Sequence, residues 1–197
     1  MIPDKFKNLL ELLKSKLESD FSEAVGMQCV ASEEIKWSKG PGFSILPYGL
    51  ELSGVTPSPI LSSEPKNKKN CFKFYCSKQG GFHRSDIYGV SSTVIETEIY
   101  QLEGQSTYSV RYDDDGEAIR ASGVVFEGGV PNISCRLDED GEYWCYEYRC
   151  EAGRTVSMIT YASNSVPGTE ICVEREGENV IGLYFCNKGS KIYVYRV

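Results

Sequence analysis

The sequence predicts an α+β protein dominated by β-structure: a curled antiparallel meander (barrel or sandwich) of about ten or more strands with one N-terminal amphipathic helix. Three observations predict it. Residues 4 to 25 carry apolar side chains at helical spacing, the rest of the chain breaks into short alternating segments, and the breaks hold Gly, Asp, Asn or Pro. A length of 197 residues suits a single domain, 1 to 197, that buries its own core without external staples.

The helix comes first. At 100° per residue, Phe6, Leu9, Leu10, Leu13, Leu17, Phe21 and Ala24 fall within one stripe about 120° wide. Asp4 supplies a first-turn acid, and Gly26 is a natural stop. Such a stripe needs an apolar surface, and the protein's own sheet is the expected one.

Strand signals follow from residue 27: MQCVAS, EEIKWS and, after a KGPG turn, FSILPYGLEL. The stretch from 56 to 70 holds three prolines and three lysines and reads as a long loop within the domain. Beyond it, in 71 to 197, lies the main sheet: CFKFYC, DIYGVSSTVIETEIYQL, TYSVRY, AIRASGVVF, NISCRL, EYWCYEYRC, TVSMITYA, TEICVER, NVIGLYFC and KIYVYRV. Alternation is clear in ISCRL, where Ile133, Cys135 and Leu137 share one face while Ser134 and Arg136 share the other. One face is therefore buried, and the other is wet or covered by something else.

Two stretches repeat each other, VRYDDDGEAI from 110 and CRLDEDGEYW from 135. Dense acids beside glycine suggest calcium, but an EF-hand loop spaces its oxygen ligands at every second position between helices. Here the acids are contiguous and the flanks alternate as strands, so DDDG and DEDG are expected to be hairpin turns. A second echo, FYCSKQGG, YRCEAGR and YFCNKGSK, puts Cys76, Cys150 and Cys186 at comparable strand ends.

Composition excludes several functions. No apolar run approaches the ~20 residues of a membrane span, and a net charge of −7 repels nucleic-acid backbones and anionic lipid. The lysines of PKNKKN lack interleaved aromatic stacking partners. Lysines and acids interrupt the opening segment as they would not in a secretory signal, so a cytoplasmic location and reduced thiols are the expectation for the eight cysteines. The pairs Cys71/Cys76 and Cys145/Cys150 are five residues apart, which on an extended strand points them to opposite faces and argues against zinc. Cys135 and Cys145 are placed for a cross-strand contact if the intervening loop is five residues long.

A catalytic triad would have to use the single histidine, His83, with neighbours such as Ser85, Asp86 and Cys76, in a region that reads as a turn without a nucleophile elbow. Phosphate-binding glycine motifs are missing from the sequence, and no cofactor is implied. The positive signal is aromatic: thirteen tyrosines recur along the strands, and Trp144, Tyr146 and Tyr148 share one strand face. With the acidic turn Asp138, Glu139 and Asp140 beside them, they suggest a non-enzymatic module that binds a basic protein partner, as an inhibitor or immunity-type protein does. The alternative is a closed barrel around a small apolar ligand or chromophore, a carrier or lyase.

Overall fold

In the computed structural model, residues 2–18, 21, 34–77, 81–164 and 168–197 are described. A 3-10 turn, Asp4–Phe6, runs into α1, Lys7–Leu17. The remainder of the expected helix, like the MQCVAS segment, lies outside the described residues apart from Phe21. Twelve strands follow: β1 Glu34–Ser38, β2 Phe72–Cys76, β3 Phe82–Tyr88, β4 Val94–Glu103, β5 Ser106–Asp113 and β6 Ala118–Glu127. The second half comprises β7 Val130–Asp138, β8 Tyr143–Glu151, β9 Arg154–Ala162, β10 Thr169–Glu176, β11 Asn179–Asn187 and β12 Ser190–Arg196.

All twelve pair antiparallel in chain order, so the molecule is one meander sheet with β1 and β12 at its two edges. The meander and the helix agree with expectation, but the sheet does not close into a barrel or fold over into a sandwich. The physical reason lies in what covers the two faces. Each face finds its apolar cover in a segment outside the sheet, which removes the need for closure.

On the first face, Phe6, Leu9 and Leu13 are buried against Ile99, Val110, Ala121, Cys135, Leu137 and Cys145. The helical stripe thus rests on the protein's own sheet, over β6 and β7. Gly123 makes the close approach possible: a Cβ there would come within 2.9 Å of Tyr108 and 3.0 Å of Leu9. Phe21 extends the contact, its ring centroid 5.0 Å from that of Tyr112.

On the second face lies the segment 39 to 61, which departs from the expected strand in FSILPYGLEL. Its apolar residues alternate as in a strand, yet Tyr48 adopts a left-handed φ of 62° and Gly49–Leu52 winds into a short helix, α2. The segment crosses the sheet as a strap. Phe43 packs on Tyr100 and Phe82, with ring centroids at 5.6 and 4.5 Å. Farther along, Tyr48 and Leu52 cover Tyr148, Met158, Ile171, Leu183 and Tyr195. The strap then returns, donating from Ser58 N to the Pro41 carbonyl at 2.8 Å, and Ile60 bridges Ser38. From there to Asn70 no regular element forms, matching the loop expected over 56 to 70.

DIYGVSSTVIETEIYQL is not one strand but two, β3 and β4, joined by a turn in which Gly89 N donates to the Thr93 carbonyl at 2.9 Å. DDDG and DEDG are hairpin turns. Gly116 and Gly141 take φ of 85° and 80°, and each donates to the carbonyl of the turn's first aspartate, Asp113 at 3.3 Å and Asp138 at 2.9 Å. Asp113 also accepts from the backbone N–H of Asp115 and Glu117, which is the ordinary use of aspartate at a turn. Cys150 and Cys186 stand alike, each just before a two-residue turn, Ala152-Gly153 and Lys188-Gly189, with positive φ at both positions. The turn after Cys76 falls outside the described residues.

Candidate functional site: the strapped face and its acidic rim

Register determines what the strap covers. Glu98 of β4 is the cross-strand partner of Arg111 in β5, Arg111 of Arg120 in β6, and Arg120 of Asp138 in β7, forming a row of charges across four strands with two arginines flanked by an acid on each side. In the next row are Tyr100, Ser109, Ser122, Arg136 and Trp144. These are the polar positions that alternation assigns to the side away from α1.

Arg111 holds two carboxylates, donating to Glu96 at 3.2 Å and Glu98 at 2.9 Å. Burial works to raise the Glu98 carboxyl, but Arg111, Ser109 and Arg120 together outweigh it and hold Glu98 below its ordinary value. Arg120 and Arg136 share one acid: Nε of Arg120 donates to Asp138 at 2.8 Å, and a terminal nitrogen of Arg136 donates to the same carboxylate at 3.3 Å. Arg136 also lies over the Trp144 ring, 4.3 Å from its centroid, a cation–π arrangement.

Between strap and sheet is a cavity of about 220 Å³. Its floor is formed by Glu98, Tyr100, Arg111, Arg120, Ser122 and Arg136, and the strap contributes apolar walls from Phe43, Ile45, Leu46, Leu50 and Val55.

The aromatic residues singled out in the sequence do share this face, but not one role. Tyr148 is buried and accepts from Ser134 at 2.8 Å while donating to the Pro47 carbonyl at 3.2 Å, so it anchors the strap. Trp144 and Tyr146 are half-buried. Asp138 is half-buried and paired with arginine, whereas Glu139 and Asp140 are exposed at the tip of the turn.

The same register brings the two acidic turns together. Because Arg111 pairs with Arg120 and Arg120 with Asp138, the β5–β6 and β7–β8 turns lie side by side at one end of the sheet. Asp114, Asp115, Glu117, Glu139 and Asp140 are exposed there, and among the described residues none of them has a lysine or arginine partner. Trp144 follows the second turn directly. The arginine row was not recognised from sequence. Arg111, Arg120 and Arg136 sit on polar positions that read as solvent-facing, and only the strap turns them inward.

Other candidates separate in space. Ser85 and Asp86 point to opposite faces: Ser85 bonds Tyr100 at 2.9 Å, while Asp86 accepts from Tyr75 at 2.7 Å, Arg84 at 2.8 Å and Thr97 at 3.3 Å. They cannot serve one triad with His83, which lies on β3 rather than in a loop. Cys135 and Cys145 are register partners, both fully buried under α1, and burial followed by the neighbouring Cys145 pushes the Cys135 thiol far up. Among the described residues, no three His, Cys, Asp or Glu side chains are grouped as a metal site requires, and no helix is long and apolar enough to cross a membrane.

This architecture defines a class in plain physical terms: an open antiparallel meander, helix-covered on one face and strapped on the other. No protein-family model, curated protein or solved structure matches the chain.

Proposed function

We propose that this protein is a non-catalytic recognition module that binds a basic segment of another protein at its acidic rim, in the manner of an inhibitor or immunity-type protein. The observation that carries this reading is the juxtaposition of the two acidic turns, five exposed carboxylates without basic partners among the described residues, and Trp144 and Tyr146 beside them. Unpaired acids at a rim steer a cationic partner into place, and half-buried aromatics anchor it once docked. The net charge of −7 reinforces the same selectivity.

The test is native mass spectrometry of the protein isolated gently from its own cells, followed by binding assays with whatever polypeptide accompanies it. Trp144→Ala and Tyr146→Ala should each weaken the complex by ~1 kcal/mol or more. Reversing Glu139 and Asp140 to lysine should slow association and flatten its salt dependence. A partner that binds all of these variants as tightly as the wild type removes the rim from consideration.

A further inference from the structure

The cavity beneath the strap adjoins the rim through Arg120 and Arg136, which bond Asp138, but its lining has a different chemistry and calls for its own account. Its polar floor has more hydrogen-bond donors than acceptors. A guanidinium offers five N–H donors and no acceptor, yet Arg120 spends only Nε, and Arg136 only one terminal nitrogen, on the Asp138 carboxylate they share. The Nε of Arg136 is buried with no acceptor among the described residues, as is that of Arg111. Each of these arginines is less than a third exposed, at 25% for Arg111, 30% for Arg120 and 27% for Arg136. Bulk water therefore supplies little of what the protein withholds.

Charge points the same way. Arg111 is neutralised from the other side by Glu96 and Glu98. Across the whole row Arg111, Arg120 and Arg136 meet Glu96, Glu98 and Asp138 charge for charge, but the acids are unevenly placed: Arg111 has two, while Arg120 and Arg136 share the single carboxylate of Asp138. Burial, and then the neighbouring Arg120, lower the Arg136 guanidinium from its ordinary value, the mark of a cation that the protein alone does not fully compensate. A monocarboxylate would supply the second acceptor that Arg120 and Arg136 lack. A dianion would meet Glu98 on the same floor.

The remaining walls are mainly apolar, with Ser44, Ser53 and Ser85 among them, and 220 Å³ holds about ten non-hydrogen atoms at the ~20 Å³ that each occupies in close packing. We infer that the strap cavity is a binding site for a small monocarboxylate with an apolar body, its carboxylate held by Arg120 and Arg136 and its hydrocarbon part enclosed by Phe43, Ile45, Leu46 and Leu50. Planar guanidinium groups match carboxylate geometry with paired hydrogen bonds. Ser122, two residues beyond Arg120 on β6 and directly opposite Arg136 of β7, is a further donor within the cavity.

Calorimetric titration of the full chain with hexanoate, and with hexanamide as the uncharged match, tests the assignment. Saturable one-to-one binding of hexanoate is expected, with hexanamide weaker by about tenfold or more, since a charge-assisted hydrogen bond is replaced by a neutral one. Arg136→Gln should lose a similar factor, with circular dichroism verifying that the sheet is intact. Ser122→Leu fills the cavity while keeping all three arginines, and it should abolish binding of the carboxylate. Equal affinity for amide and carboxylate overturns the assignment. So does hexanoate binding that survives both substitutions, or a failure of every straight-chain acid from butanoate to octanoate to bind saturably.

Discussion

Arg111 stands directly opposite Arg120 in the β5–β6 ladder, and Glu98 stands directly opposite Arg111 on its other side. Like charges facing across a ladder are destabilising unless something intervenes, and Glu98 is what intervenes. With a side chain only 13% exposed and bonds from both Ser109 and Arg111, it is the buried counterion of the row.

Glu98→Gln should therefore cost about 2–4 kcal/mol of unfolding free energy, because it leaves a buried guanidinium short of its partner. The effect also carries a pH signature. The folded value of Glu98 is depressed, so its contribution is complete above the ordinary 4.5 and is lost as pH falls through the depressed value. Urea denaturation of wild type and variant should show a gap that is constant near neutrality and narrows in acid. A gap that is absent at neutral pH, or unchanged down to pH 3, contradicts this role.

Tyr148 is one of the pins of the strap, with Arg175, which donates to the Tyr48 hydroxyl at 2.7 Å. Since the Pro47 carbonyl can only accept, the Tyr148 hydroxyl donates to it, and Ser134 donates to Tyr148 in turn. Burial raises the Tyr148 phenol, so it remains a donor across the physiological range. Tyr148→Phe strands both partners and should cost about 1–3 kcal/mol. Limited chymotrypsin digestion should cut faster within 43 to 50 in the variant than in the wild type. Identical cleavage rates would show that the strap is held elsewhere.

Gly123 places the helix. Its missing side chain lets Leu9 and Tyr108 approach the β6 backbone, and any Cβ enters at 3.0 Å or less from both. Gly123→Val should destabilise by about 1–3 kcal/mol through overpacking, read as a lowered thermal midpoint. A variant as stable as wild type would mean that α1 can shift without loss.

Much of this architecture was legible in the residues. Period-two alternation identified the strands because each buries one face, and the acids of DDDG and DEDG identified turns because Asp113 and Asp138 cap them through backbone bonds. The strap was not legible. Leu46, Tyr48, Leu50 and Leu52 have the spacing of a strand, and nothing local distinguishes an apolar segment that pairs from one that lies across a face. The left-handed turn at Tyr48 is visible only in the fold. The cavity followed the strap into obscurity: Arg111, Arg120 and Arg136 come from three separate strands, and polar residues in alternation look solvated until something covers them. Trp144 and Tyr146 were found because aromatics with polar tips are conspicuous, and Tyr148 looked the same although its hydroxyl is committed inward.

The pairing of each strand with its immediate chain neighbours also bears on how the molecule assembles. From β2 onward every ladder closes only a short loop, so that part of the sheet can zip from any hairpin at small entropic cost, whereas the β1–β2 ladder closes the long segment 39 to 71 that holds the strap. The strap differs, since its bonds from Tyr148 to Pro47 and from Tyr195 to Thr56 join residues 101 and 139 positions apart. The strap and its cavity therefore form late, on a sheet already in place, and are the first parts to open when the protein loosens.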